Sequence, residues 1–127
     1  MSAAPGFRKY PQHRVETRPS SAQVRVTYQG EVIADTREAV EMHESTGEGK
    51  KTVAPVVYYI ARKDVRMDRL VRSSHRTHCP FKGDASYFSV AGGPDNAVWS
   101  YEAPYDEMLA IKERLAFYPD KFAIESS

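Results

Sequence analysis

The chain has 127 residues, of which 41% are hydrophobic and 28% charged, and its formal net charge is +1. This length predicts one domain that buries a core without disulfide or metal support, and the single cysteine excludes an internal disulfide. No stretch approaches the about 18 consecutive apolar residues of a membrane-spanning helix, and the first residues lack the apolar segment of a secretory signal. We therefore expect a cytoplasmic protein that does not associate with membranes.

The N-terminal half begins with an irregular segment and continues with strands. Residues 1–22 are rich in Pro, Ser and Arg without a hydrophobic period, which predicts an extended arm ahead of a single β-rich domain over 23–127. Residues 24–34 alternate apolar and polar side chains around Gln29-Gly30 and predict a hairpin. The stretch REAVEMHES, 37–45, predicts one or two helical turns, and TGEGKKTVAP, 46–55, a polar loop. The β-branched and aromatic run VVYYI, 56–60, predicts a buried strand.

The C-terminal half predicts more short strands and one helix. We expect a turn and then a strand near 69–73, and a second turn bracketed by Pro80 and Gly83. The stretches ASYFSV and VWSY predict paired strands across the loop GGPDN. Apolar residues at helical spacing after Pro104 predict one short helix near 105–115, and FYPDKFAI predicts two short strands around a Pro-Asp turn. The fold class is α+β, mostly β.

Basic residues are concentrated in one segment. Residues 62–82 hold seven basic and two acidic side chains, although the whole chain is nearly neutral. A solvated outer face of strands and an anion-binding face both account for this pattern.

Alternation assigns the aromatic side chains of the predicted 85–101 hairpin to one face. With Val90 opposite Val98, the apolar face holds Phe88, Val90 and Val98. The other face holds Tyr87, Ser89, Trp99 and Tyr101. Rings that carry hydroxyl groups and an indole N–H line a pocket or an interface, or form a second core layer with satisfied hydroxyls.

The stretch RTHCPFKGD holds the candidate chemical groups. The thiol of Cys79, flanked by His78, Arg76 and Lys82, lies in an electropositive neighbourhood that favours a nucleophile, with His78 as general base. A small buried residue at a turn is the alternative reading of the same cysteine. The neighbouring histidines lack a fourth ligand at suitable spacing, so we expect no metal, and we expect no cofactor. No pattern of aromatic residues typical of RNA binding is present, so a nucleic acid is not an expected partner.

Several stretches together resemble domain-of-unknown-function family 427. They are PGFRKYPQHRVETRP, VRVTYQGEVIADT, VVYYIARKDVRMDRLV, RTHCPFKGDASYFSV, AVWSYEAPYDEM and LAFYPDKFAI. The resemblance implies a bacterial type of protein with a tent-like β-fold of the Mss type, built from two packed, twisted antiparallel sheets. The family also carries the label nucleotidyltransferase, but this chain has no Asp-x-Asp pair to hold two Mg²⁺ ions.

Three functions remain open, and the first two use one predicted pocket between the 62–64 turn, the 77–82 turn and the aromatic wall formed by Tyr87, Trp99 and Tyr101. The first is binding of a small anionic or heteroaromatic ligand, in which Asp64 orients Arg62. The second is an enzyme that uses Cys79 or His78, or the nucleotidyltransferase of the family label. The third is a module whose aromatic wall binds a protein partner and whose basic N-terminal arm is a docking tail, and association between copies of the chain is also open. The expected ligand-binding residues are Arg62, Asp64, Lys82, Tyr87, Trp99 and Tyr101.

Overall fold

The computed structural model describes residues 3–11, 13–45 and 55–127. Within these residues one α-helix precedes ten strands: α1 (Pro5–Lys9), β1 (Arg14–Pro19), β2 (Val24–Tyr28), β3 (Glu31–Thr36), β4 (Val40–Ser45), β5 (Val57–Tyr59), β6 (Leu70–Cys79), β7 (Gly83–Val90), β8 (Val98–Ser100), β9 (Leu115–Phe117) and β10 (Ala123–Ser126). Short 3₁₀ turns occupy Arg62–Asp64, Met67–Arg69 and Asp106–Ile111. The predicted α+β, mostly β class is confirmed.

The strands form three antiparallel sheets, where the sequence predicted two. Their strand orders are β1-β4-β5, β10-β2-β3 and β6-β7-β8-β9. The predicted strands on either side of the Pro-Asp turn, β9 and β10, lie in different sheets, because the turn redirects the chain so that β10 pairs with β2. The turn is closed by a bond from the Phe122 amide to the Tyr118 carbonyl.

The four-stranded sheet is the central layer, with one three-stranded sheet against each face. On one face, Phe88 and Val98 pack against Val24, Val26 and Ile33 of β2 and β3. On the opposite face, called here the aromatic face, the rings of Tyr87 and Tyr101 pack against β4 and β5. Two hydrophobic cores therefore share one sheet, which is possible because alternate side chains of a strand point to opposite sides.

Two segments differ from the sequence prediction. Residues predicted as an extended arm include α1 and β1, and β1 pairs with β4 from Arg14↔Ser45 to Pro19↔Val40. The segment 37–45, predicted as helical turns, contains β4 instead, since Val40 and Met42 alternate into the core with a period of two. The predicted polar loop over 46–55 lies outside the described residues except for its last residue.

The helix expected near 105–115 is a 3₁₀ segment, Asp106–Ile111, interrupted at Met108, where φ is −114° and ψ is 21°. Met108 and Ile111 are buried as the helical spacing predicted. Leu115, the last residue of that pattern, instead begins β9 and exchanges backbone hydrogen bonds with Ile60. No helix within the described part of the chain is long and apolar enough to cross a membrane.

Candidate functional site: the aromatic face

The hairpin of β7 and β8 places its side chains on the predicted faces, with a shifted register. Phe88, not Val90, lies opposite Val98, and Tyr87 lies opposite Trp99. A shift of two residues conserves the face of every side chain, because the side-chain period of a strand is two. The aromatic face therefore carries Tyr87, Trp99 and Tyr101 as expected.

A hydroxyl-rich aromatic cluster fills the space between this face and β5. Trp99 Nε1 donates to the Tyr59 hydroxyl at 3.2 Å, and the two rings meet edge to face with centroids 6.3 Å apart. Tyr101 packs on Tyr59 at 6.4 Å, and Tyr118 on Trp99 at 4.5 Å. The Tyr87 hydroxyl lies 2.9 Å from Thr77 Oγ1 across the sheet. The cluster is thus a layer of core in which Trp99 bonds to Tyr59 and Tyr87 bonds to Thr77.

Burial controls the acidity of these tyrosines. It raises the pKa of Tyr59 and of Tyr101 above the ordinary value of 10.0, and the nearby carboxylate of Glu44 adds to both increases. Burial, together with the neighbouring phenol of Tyr87, raises the pKa of Tyr118 to about 12. All three phenols are therefore neutral donors at physiological pH.

Lys82 lies at the edge of the aromatic cluster, where Glu44 neutralises it. Lys82 Nζ donates to Glu44 Oε1 at 2.9 Å, and His13 Nε2 lies 2.8 Å from Glu44 Oε2. Burial alone would raise the pKa of the Glu44 carboxyl, but the hydrogen bond and charge of Lys82, with His13, hold it below its ordinary value. The ring of Phe81 stacks on His13 at 4.0 Å and completes this corner.

Cys79 and His78 lie on opposite sides of β6. Cys79 is partly buried and packs with the aromatic cluster. His78 points the other way, where its Nδ1 lies 2.7 Å from Asp84 Oδ1 and its ring meets Tyr105. In this arrangement His78 cannot serve as a base toward Cys79.

Arg62 and Asp64 lie apart from the aromatic face. Arg62 donates to Glu102 Oε2 at 2.8 Å and reaches over Phe88, on the other face of the central sheet. Asp64 accepts a bond from Thr36 Oγ1 at 2.7 Å, so it orients Thr36 rather than Arg62. The structure therefore brings together Lys82, Tyr87, Trp99, Tyr101 and Cys79, and separates them from Arg62, Asp64 and His78.

An apolar cavity opens beside Trp99, where the three sheets meet. Its volume is about 380 Å³. Its walls come from every sheet: Val26 and Ile124, then Pro55, Val56, Val57, Tyr58 and Ile60, then Trp99, Phe117, Tyr118 and Pro119. Trp99 belongs both to this wall and to the hydroxyl-rich cluster, since its N–H bonds to Tyr59. We call this space the Trp99 cavity.

Sequence reasoning did not identify Glu44, Tyr59 and Tyr118 as part of the site. Tyr59 had a usable signal, since it lies two residues after Val57 in a predicted strand and therefore shares its face. Glu44 shares the parity of the buried Val40 and Met42 and would have been found had β4 been predicted as a strand. Tyr118 follows β9 and gave no signal, because only the packing of β9 beside β8 brings its ring onto Trp99.

No group of three or more His, Cys, Asp or Glu side chains among the described residues lies close enough to hold a metal ion. The comparison with curated proteins found no match. The profile of a family described as "Domain of unknown function (DUF427)" matches residues 16–127, which is most of the chain. This match confirms the resemblance carried by the sequence motifs.

Proposed function

The chain belongs to the DUF427 family, a domain of unknown function, and from the geometry of the site we propose that it binds a flat, largely apolar heteroaromatic small molecule in the Trp99 cavity. The single observation that carries this proposal is the apolar space of about 380 Å³ at the junction of the three sheets, with the indole of Trp99 in its wall. Small-molecule sites have volumes of about 300–1,000 Å³ and mostly apolar walls.

The chemistry of the walls supports a ring-shaped ligand without a formal charge. Tyr58, Trp99 and Tyr118 supply aromatic surfaces, and aliphatic side chains supply most of the rest. Aromatic pairs prefer offset or edge-to-face contacts, which favour a flat ring between such walls. A charged group entering this space would lose its hydration without gaining an ion pair, since no Lys, Arg, Asp or Glu lines the cavity among the described residues.

Residues behind the wall hold the rings that would contact the ligand. Tyr59 accepts the indole N–H of Trp99, and Tyr87 lies opposite Trp99 on the paired strand β7. Tyr101 in turn packs on Tyr59. In this proposal Trp99 contacts the ligand directly. Tyr87 and Tyr101 do not contact it, but they pack against Trp99 and Tyr59 and so support the wall of the cavity.

The chain carries its own probe, because Trp99 is its only tryptophan. A set of uncharged heteroaromatic compounds should be titrated against the protein while Trp99 emission and the thermal unfolding midpoint are recorded. We expect at least one compound to change the emission saturably and to raise the midpoint, since a ligand that binds only the native state stabilises it. Failure of every compound on both readouts would overturn the proposal.

Two matched variants localise the binding. Val56 lines the cavity and Val32 does not, and the two side chains are 38% and 40% exposed. Val56→Glu puts a carboxylate at the cavity wall and should weaken binding by about tenfold or more, whereas Val32→Glu should leave it unchanged. Equal binding by the two variants would place the compound elsewhere on the protein.

A further inference from the structure

Three arginines converge on the central sheet, on the face opposite the aromatic face. Arg72 and Arg76 come from β6, and Arg62 comes from the 3₁₀ turn after β5. The guanidinium carbons of Arg72 and Arg62 lie 4.9 and 5.6 Å from the centroid of the Phe88 ring. The proposed binding of a ligand in the Trp99 cavity involves none of these arginines.

A β-bulge in β6 brings Arg72 and Arg76 together. Arg72 lies opposite Phe88 and Arg76 opposite Ser86, so the three residues 73–75 face the single residue Tyr87. In a regular strand, the Cα atoms of residues four apart are separated by about 13 Å. Arg72 and Arg76 instead lie opposite Phe88 and Ser86, which are only two residues apart and therefore separated by about 7 Å. The His75 amide donates to Ser73 Oγ at 3.0 Å within the bulge. The bulge thus brings the backbone positions of Arg72 and Arg76 closer together on one face of the sheet.

One carboxylate compensates part of this charge. Arg72 donates hydrogen bonds to both carboxylate oxygens of Glu102, at 2.9 and 2.7 Å, and Arg62 donates to the same carboxylate at 2.8 Å. The hydrogen bond from Arg72 has the largest effect on the pKa of Glu102, and Arg62 and Ser86 add to it. Together they outweigh the opposing effect of burial and lower this pKa to about 2. Glu102 is therefore ionised at every physiological pH and acts as an internal anion between two guanidinium groups.

Arg76 is the cation that Glu102 does not reach. Its Nη1 donates to Ser86 Oγ at 3.2 Å, and among the described residues no carboxylate lies within ion-pair distance of it. Ser86 and Ser100, which are 4% and 0% exposed, place two buried hydroxyls beneath the guanidinium groups. The three arginines and Glu102 together carry an excess of two positive charges over the hydroxyl groups of Ser86 and Ser100. The next carboxylate on this face of β7, Asp84, is bonded to His78.

From this arrangement we propose that Arg72 and Arg76 bind the phosphoryl group of a small molecule or a free phosphate ion, while the buried Ser86 hydroxyl accepts from Arg76 and holds it in place. A guanidinium presents parallel N–H donors that match two oxygens of a phosphate. A phosphate dianion carries two negative charges, which would balance the two positive charges that Glu102 does not balance. Arg62 and Glu102 act as positioning residues, since their ion pair fixes the direction in which Arg72 approaches.

The first test is a titration of the full chain with inorganic phosphate at constant ionic strength, with sodium chloride as the balancing salt. Calorimetry and the NMR signals of the arginine Nε–H groups report the binding. We expect saturable binding, with the largest shifts at Arg72 and Arg76. A response that sodium chloride reproduces in full would overturn the proposal.

Variants then assign the site. Arg76→Gln and Arg76→Lys should each lose about tenfold or more in affinity, because lysine keeps the charge but lacks the planar pair of donors. Arg66→Gln is the matched control, since Arg66 pairs with Asp68 on an exposed turn. Unchanged phosphate affinity in folded Arg76→Lys would overturn the assignment, and so would an equal loss in Arg66→Gln.

A phosphomonoester arm distinguishes the two sources of the phosphoryl group. Phenyl phosphate binding more tightly than inorganic phosphate supports a phosphorylated small molecule, and the reverse order supports the free ion. The Trp99 emission should not respond in either arm, so a negative result for the cavity leaves this site testable on its own.

Discussion

Lys82 and Glu44 meet between two sheets, 2.9 Å apart, with side chains only 14% and 18% exposed. The sequence placed Lys82 in a ligand site because it lies in a turn beside aromatic strands. In the structure its charge is already used by Glu44, a residue 38 positions away in sequence. At the scale of single residues, the partner of a charge therefore decides whether that charge is available to a ligand.

This pair is open to a double-mutant cycle. We expect Lys82→Met and Glu44→Gln each to lower the free energy of unfolding by about 2–3 kcal/mol, because each removes a partly buried ion pair. Lys82→Met leaves the Glu44 carboxylate with His13 alone, and Glu44→Gln leaves the Lys82 ammonium without its carboxylate. The double variant should lose at least about 1 kcal/mol less than the sum of the two. Urea denaturation measures all three, with Lys121→Met, at a distant and exposed pair, as the control expected to change by less than about 0.5 kcal/mol. Strict additivity would contradict the coupling.

At the scale of elements, the segment before β1 docks on the turn after β6. The Gly6 amide donates to the Pro80 carbonyl at 2.8 Å, and the rings of Phe7 and Phe81 meet with centroids 5.0 Å apart. A Cβ atom on Gly6 would lie 2.7 Å from a carbon of the Phe81 ring and 2.8 Å from the Pro80 oxygen. The sequence predicted an arm because this segment has no period of its own, and its order comes from the surface on which it lies.

The docking of α1 is testable at Gly6. Gly6→Ala should destabilise the protein by about 1–3 kcal/mol, since the Pro80 carbonyl is backbone and cannot move aside cheaply. It should also speed proteolytic cleavage within the first 13 residues. Lys9→Ala, at an exposed position of the same helix, is the control and should change neither property. Normal stability with normal proteolysis in Gly6→Ala would mean that α1 does not require this close approach.

Strand elements were predictable to different degrees for identifiable reasons. The β2–β3 hairpin has alternation and a Gln-Gly turn, with positive φ at both turn residues, so local sequence specifies it. The strand β4 has the same alternation at Val40 and Met42, but the polar residues between them, Glu41 and His43, are equally compatible with a short helix. The bulge of β6 had no signal at all, because only pairing with β7 defines it.

At the scale of the whole molecule, two buried tyrosines and one half-buried tyrosine make the stability of the fold depend on pH. Tyr59 lies in β5, whereas Tyr101 and Tyr118 follow strands of the central sheet. Their pKa values in the folded protein are raised above 10.0, so the unfolded chain releases these protons first. The stabilising contribution is therefore complete below pH 10 and declines as the pH rises above it.

We accordingly expect a cooperative alkaline transition. Stability should fall by up to about 1.4 kcal/mol per pH unit for each of the three phenols above pH 10. Tyrosinate absorbance should then show a step that coincides with loss of the β circular-dichroism signal. Tyr101→Phe should make the fall shallower, and Tyr10→Phe, at a ring that is 50% exposed, should not. Ionisation of all the tyrosines without unfolding would be inconsistent with this account.

The amino-acid sequence by itself determined the family, through motifs that its profile matches over residues 16–127. It also determined the mostly-β class and which side chains of the β7–β8 hairpin share a face, because these follow from local alternation and turn residues. Only the tertiary structure decided that there are three sheets, that β1 belongs to one of them, and that Arg62 pairs with Glu102, 40 residues away. The reason is that ion pairs and sheet edges join residues distant in sequence, and local patterns carry no information about which of several carboxylates a given cation meets.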